Sequence, residues 1–404
     1  MKTVRIPNQE YPKNYHMKFV RKTMLLLGIW PIKTGDIREI LYELYFWITF
    51  VYYIIFNVSG FAIAILTWSN NYLATASSMG IVIEYVSNAY KVIIFKSKRI
   101  KSLLAEIEQE ETKIFESNDP EFINMYTKNA AYNRKIVLFY TIMGTTGISL
   151  YFITPLVSNV LTPLEVNNIT GIQNHHFVVF TWFPFDPNRY YWAAYLIQFL
   201  GCLIGYSYIV HCGAFYISIL SFISVQLKIM QHIFINFQKY ADEFKRNDLS
   251  EDQLQCILIK RLAKKHLRII VFVREINNAI KLFTLMNFVI SSFQLSLVVY
   301  QIFKLLPLQR IAVFSYFMTL STQLFLTYQA AHIISIESEN IATSIFKGNW
   351  DTYSPKVLKM LQIICVRAQR PLVLTIGPMA DVKVTSLFQI FKALYSYICI
   401  IMRV

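Results

Sequence analysis

The sequence predicts an all-α membrane protein with seven transmembrane helices, a cytosolic N-terminus, an extracellular C-terminus and a cytosolic helical anchor bundle. Three observations carry that fold class. Hydrophobic residues make up 55% of the 404-residue chain and charged residues only 16%, against about 25% charge in a soluble domain. Apolar runs long enough to cross about 30 Å of hydrocarbon recur along the chain, with no Pro/Gly/Ser-rich linker between them. Lysine and arginine collect in alternate connections between those runs, which is how basic residues are retained on the cytosolic side.

Residues 1–43 read as a cytosolic segment with a short amphipathic helix. The apolar run from Met24 to Trp30 is short, follows many polar residues and stops at Pro31, so no cleaved signal peptide is expected. Six spans follow within 44–336, over 44–68, 72–95, 136–161, 191–225, 282–306 and 311–336, and the fourth and fifth are expected to extend well into the cytosol. The stretch 229–280 supports that extension, because Ile233, Phe237, Leu254, Ile257, Leu258, Leu262, Ile269 and Phe272 recur at helical spacing. Residues 337–379 read as anchor helices, broken at Lys347-Gly348-Asn349 and reopened by Ser354-Pro355. The last span, 384–402 within the segment 380–404, ends close to the last residue of the sequence.

Orientation follows from the basic residues. Lys2, Arg5, Lys13, Lys18, Arg21, Lys22, Lys33 and Arg38 precede the first span, and Lys96, Lys98, Arg99, Lys101, Lys113, Lys128, Arg134 and Lys135 join the second to the third. The fourth-to-fifth connection is richer still, and the sixth-to-seventh carries Lys347, Lys356, Lys359, Arg367 and Arg370. The alternate connections hold only Arg189, Lys304 and Arg310, so they face outside. The sequon Asn168-Ile169-Thr170 falls on that outer side, where Asn168 is a candidate glycosylation site.

Several function classes are excluded. The net charge of +15 lies in loops and forms no aromatic-laced basic face, so nucleic acid is not an expected partner and membrane lipid is. No nucleophile elbow, phosphate-cradling glycine loop or His-Glu-x-x-His is present, so the chain does not read as an enzyme and no cofactor is implied. His175-His176 lacks further ligands at metal spacing, and the five cysteines show neither metal spacing nor a disulfide framework. A G-protein-coupled receptor would carry its amino terminus outside, against the charge rule, and Asp-Arg-Tyr and Asn-Pro-x-x-Tyr are missing at the third and seventh spans. A transporter would show internal repeats with broken helices, and none is found.

The carboxyl third carries Asn349-Trp350-Asp351, Lys359-Met360-Leu361, Val366-Arg367-Ala368-Gln369-Arg370-Pro371-Leu372, Thr375-Ile376-Gly377-Pro378 and Phe388-Gln389-Ile390-Phe391-Lys392-Ala393-Leu394-Tyr395-Ser396-Tyr397. This series resembles the signature of the insect odorant receptor family, as does the outer segment Trp182-Phe183-Pro184-Phe185-Asp186 leading to Tyr190-Tyr191. Gustatory receptors carry a Thr-Tyr pair and then Gln-Phe in the last span; Tyr395-Ser396-Tyr397 has no Gln-Phe after it. The co-receptor of the family has a long insertion where 228–281 is compact, so the resemblance is to a tuning subunit. It implies a ligand-gated, non-selective cation channel in the plasma membrane of olfactory sensory neurons. The implied partners are an odorant small molecule and the odorant receptor co-receptor, the latter in a heterotetramer. The competing readings are a metabotropic chemoreceptor and a gustatory-type receptor channel.

A volatile ligand is small and apolar, so its site is expected between the outer halves of the helices. The candidates are Met79, Ile83, Gly147, Tyr151, Tyr195, Phe199, Phe314, Phe317 and Met318, although aromatic and Met residues at this spacing also serve plain helix packing. The resemblance places Ile400 and Val404 one helical turn apart as a pore gate that closes by dewetting. Arg403 lies between them. It either faces the pore, where a ring of arginines would repel cations, or snorkels to the outer interface. Glu84 and Lys392 are ionisable residues within spans, each open to a ligand-related or a structural role.

Overall fold

The computed structural model describes residues 14–32, 35–69, 72–161, 173–243, 250–305 and 307–401. Helices dominate. α1 (Lys18–Leu26) is short and buries Val20 and Met24 on one face. α2 (Ile37–Thr67) and α3 (Tyr72–Lys96) form the first pair of long helices. Ser97 then caps α4 (Lys98–Glu116), its hydroxyl accepting from the Ile100 N–H. α5 (Pro120–Leu161) opens on a proline, which the first helical turn tolerates because its missing N–H would be unpaired there anyway.

α6 (Tyr191–Ile235) and α8 (Glu251–Lys304) run for 45 and 54 residues, with the short α7 (Phe237–Asp242) between them. At 1.5 Å per residue these helices are about 68 and about 81 Å long, more than twice the hydrocarbon thickness of roughly 30 Å. α8 starts from a complete capping box, Ser250 with Gln253. α9 (Pro307–Lys347), α10 (Pro355–Ala368) and α11 (Val384–Ile401) follow. A two-residue hairpin, β1 (Thr375–Ile376) with β2 (Ala380–Asp381), precedes α11 and turns at Gly377, whose φ of +53° suits glycine.

Among the described residues six helices, those over α2, α3, α5, α6, α8 and α9, are long and apolar enough to cross a membrane. α11 stands at the predicted seventh position. The basic second-to-third connection is helical, since α4 and the first turns of α5 fill it. The first of the two predicted anchor helices is the unbroken continuation of α9, which passes through residue 337 and ends at Lys347.

α6 is the axis of the bundle. Within its apolar window 89% of residues are buried, against 28–39% for α2, α5, α8 and α9, so α6 faces protein and its neighbours face lipid. On α2 the lipid face is visible as the exposed series Ile37, Ile40, Leu44, Ile48, Val51, Ile55 and Val58, spaced three and four residues apart. Small residues let α6 approach its partners closely. A Cβ added to Gly205 would lie 2.2 Å from Cζ of Tyr85, so only glycine admits that ring.

The cytosolic end is fastened by polar contacts. Glu111 accepts from the Tyr15 N–H (2.7 Å), the His16 N–H (3.0 Å) and the Tyr126 hydroxyl (2.7 Å), which locks the start of α1 onto α4 and α5. Asn277 on α8 exchanges hydrogen bonds with Thr375 of the hairpin, and Ser338 on α9 accepts from the Leu372 N–H. These bonds hold the segment before α11 against α8 and α9.

Candidate functional site

A cavity of about 70 Å³ lies between α3, α5, α6 and α9. Ile81 and Tyr85 of α3 and Gly144, Gly147, Ile148 and Tyr151 of α5 form one side. Cys202, Tyr206, Ile209 and Val210 of α6, Tyr316, Thr319 and Leu320 of α9, and Val179 from the connection before α6 close it. The walls are almost wholly apolar or aromatic. The space arises where α5 presents two glycines and the neighbouring helices present rings in place of compact aliphatic side chains.

The few polar groups are held differently from one another. Tyr206 pairs with Thr145 at 2.6 Å, and Thr319 donates back to the Ser315 carbonyl at 2.9 Å. The Tyr316 hydroxyl accepts from Gln294 Nε2 and keeps its own proton to donate. The Tyr151 ring meets Tyr316 edge-on at 5.9 Å, and its hydroxyl has no hydrogen-bond partner among the described residues. An apolar chamber with one uncommitted and one half-committed phenol suits a small apolar molecule bearing a hydroxyl or carbonyl oxygen.

Of the residues singled out in the sequence, Gly147 and Tyr151 line this cavity. Met79 and Ile83 are half-buried on α3 and do not line it. Each lies two positions from Ile81, and Ile83 also two from Tyr85, which at about 100° per residue turns both away from the cavity side of the helix. Tyr195 donates to the Phe152 carbonyl at 2.7 Å, and Phe199 packs on Phe152 at 4.4 Å, so both brace α6 against α5 beside the cavity. That bracing sits where Pro155 interrupts the hydrogen-bond ladder of α5. Phe314 is half exposed and stacks on Phe317; neither they nor Met318 reaches the cavity, which α9 lines with Tyr316, Thr319 and Leu320 instead.

The residues that sequence reading missed are chiefly Tyr85, Tyr206 and Tyr316. The signal that points to them is the pair Gly144 and Gly147, one turn apart in an apolar helix and opposite tyrosine-bearing spans. Glu84 does not line the cavity; it is buried and its carboxylate accepts from Asn88 on the same helix at 2.6 Å. Lys392 is exposed on α11. The side chain of Ile400, and Arg403, Val404 and Asn168 altogether, lie outside the described residues. His175 sits in the connection before α6, its N–H donating to Asn188, and among the described residues no group of His, Cys, Asp and Glu is arranged to hold a metal.

The family model described as 7tm odorant receptor matches residues 71–395. The chain belongs to that odorant receptor family. Odorant receptor 10 of Aedes albopictus is 26% identical over 215 residues, 53% of this chain and 56% of that receptor. The chain thus spans about half the length of that relative. The putative odorant receptor 92a of Drosophila melanogaster is 22% identical over 79% of this chain and 76% of its own. The fold is similar to the structure of the insect olfactory receptor OR5 from Machilis hrabei in complex with eugenol, with a TM-score of 0.79 and 13% identity over 96% of this chain and 97% of that one. As an odorant receptor the chain is a multi-pass membrane protein of a receptor family, not an enzyme.

Proposed function

We propose that this odorant receptor is the odorant-binding subunit of a ligand-gated, non-selective cation channel, working with the family's co-receptor in the plasma membrane of olfactory sensory neurons. The single observation that carries the reading is the aromatic-lined cavity among α3, α5, α6 and α9, with the Tyr151 hydroxyl uncommitted. Gly147 and Tyr151 are its proposed ligand contacts, joined by Tyr85, Tyr206 and Tyr316. The complex with eugenol named for the OR5 structure adds support, since that ligand is a small molecule held on the same fold.

α11 is the proposed pore helix. Leu387, Ile390 and Leu394 are buried against α8 and α9, while Phe388, Lys392 and Tyr395 are exposed on the remaining surface, which is free for other subunits and the conduit. Ile400 and Val404 are the proposed gate. A ligand opens such a channel only if it binds the open arrangement more tightly than the closed one.

Current recorded from excised, nucleotide-free patches tests the reading, with the chain expressed alone and then with the co-receptor. Odorant-evoked cation current in the co-expressing patches is expected. A response that needs intact cells and a G protein would replace the channel with a metabotropic receptor.

A further inference from the structure

A second, smaller cavity of about 30 Å³ lies near the cytosolic end of the bundle, between α4, α6 and α8. Phe222, Ile223, Ile269 and Phe272 make its floor, and Glu106, Glu110, Gln226, Lys265 and Arg268 supply the polar wall. Those polar groups divide into two sets. Arg268 Nε donates to Glu106 at 2.6 Å and its Nη1 lies 3.1 Å from Glu110, which also takes Lys113 at 2.6 Å. These groups are spoken for.

Gln226 and Lys265 are not. Gln226 is 3% exposed, yet neither its amide nitrogen nor its amide oxygen has a hydrogen-bond partner among the described residues. Lys265 forms no ion pair or hydrogen bond among them either, although Glu110 stands on the same wall. Two donors without partners, the buried Gln226 amide N–H and the Lys265 ammonium, line one space and call for a guest that accepts hydrogen bonds and carries negative charge. The surrounding field agrees, since Lys113, Arg261, Lys265 and Arg268 outnumber Glu106 and Glu110.

We propose that this cavity is a binding site for a small monovalent anion from the cytosol, a halide or a formate-sized carboxylate, held by the Gln226 amide N–H and the Lys265 ammonium. Size decides against larger guests. One water needs roughly 10–15 Å³ of such space, so the cavity takes about two water-sized groups and excludes a phosphorylated headgroup. The bound anion ties α6 to α8 beside the Arg268 link between α8 and α4.

The test is thermal unfolding of the purified full-length receptor in sodium chloride, sodium formate and sodium gluconate at equal ionic strength; gluconate is too large to enter. Chloride and formate are expected to raise the midpoint by a few degrees in a saturable way. Burial pushes the Lys265 ammonium down to about 8, against the pull of Glu110 and with Arg261 and Lys113 adding to the depression. The effect therefore fades above pH 8, with Glu106, Glu110, Lys113, Arg261 and Arg268 as the charged groups that face Lys265 from α4 and α8. Gln226→Leu and Lys265→Met fill the same space with apolar atoms and are expected to melt alike in all three salts. A wild-type midpoint equal in gluconate and chloride means that water alone fills the site, and it overturns the proposal whether or not either variant folds. A salt difference that survives in both variants overturns it as well.

Discussion

The Tyr316 hydroxyl of α9 accepts a 2.7 Å hydrogen bond from Nε2 of Gln294 on α8. Tyr316 lines the cavity, Gln294 is 1% exposed, and α8 packs along α11. One bond thus joins the wall that would feel a ligand to the helix that supports the proposed pore. Tyr316→Phe leaves the Gln294 amide buried without its partner, at a cost of about 1–3 kcal/mol in thermal stability. The odorant concentration–response curve shifts with it. Adding Gln294→Leu recovers the melting midpoint and leaves the response impaired. An unchanged midpoint and response in Tyr316→Phe would remove the bond from the mechanism.

Tyr151 offers the opposite case, because its hydroxyl has no hydrogen-bond partner among the described residues. Tyr151→Phe is expected to melt within about 0.5 kcal/mol of wild type. Potency falls about tenfold for a hydroxyl-bearing odorant, corresponding to one hydrogen bond of about 1.4 kcal/mol, and stays level for its hydroxyl-free analogue. Equal losses for the two odorants would show that the phenol does not read the ligand.

Cavity size is set in part by Gly147. A Cβ there would stand 3.4 Å from Thr319 Oγ1, a contact the structure can absorb, whereas a longer side chain enters the chamber. Across an odorant series of graded size, Gly147→Ala is expected to favour smaller members and Gly147→Leu to silence the larger ones. A series that responds to both variants as to wild type would place the ligand elsewhere.

His16 makes the cytosolic bundle sensitive to acid. Its ring is buried between Tyr126 and Phe222, Nε2–H donates to the Ser218 carbonyl at 3.1 Å, and burial lowers it to about 4. The unfolded chain takes up this proton near pH 6.5 and the folded chain only near 4, so stability falls as pH drops through that window, by at most about 3 kcal/mol. Melting at pH 6.5 and 4.5 checks this: the acid-induced loss is smaller in His16→Gln than in wild type.

The spans were legible because each is a long apolar run bounded by charged or polar residues, and the break after Lys347 because Gly348 and Ser354-Pro355 punctuate it. The facing of each span was not. α3 and α9 carry apolar residues around much of their circumference, so period alone does not separate Met79 and Ile83 from Ile81 and Tyr85. Tertiary room decides, and Gly205 on α6 provides it for the Tyr85 ring. The helical run from Pro120 to Lys135 was hidden for another reason: its polar residues solvate one side of a cytosolic helix and break the apolar pattern by which α5 was sought.

α8 gives the molecule a mechanical property that none of its pairwise contacts has. From Glu251 to Lys304 it is one unbroken helix, meeting the cytosolic hairpin through Asn277 and the cavity wall through Gln294. A rod about 81 Å long that tilts by about 5° around one end sweeps the other through about 7 Å. In the proposed channel, a tilt of α8 too slight to disturb the packing beside a ligand would thereby reach the far end of the rod as a displacement of several ångström.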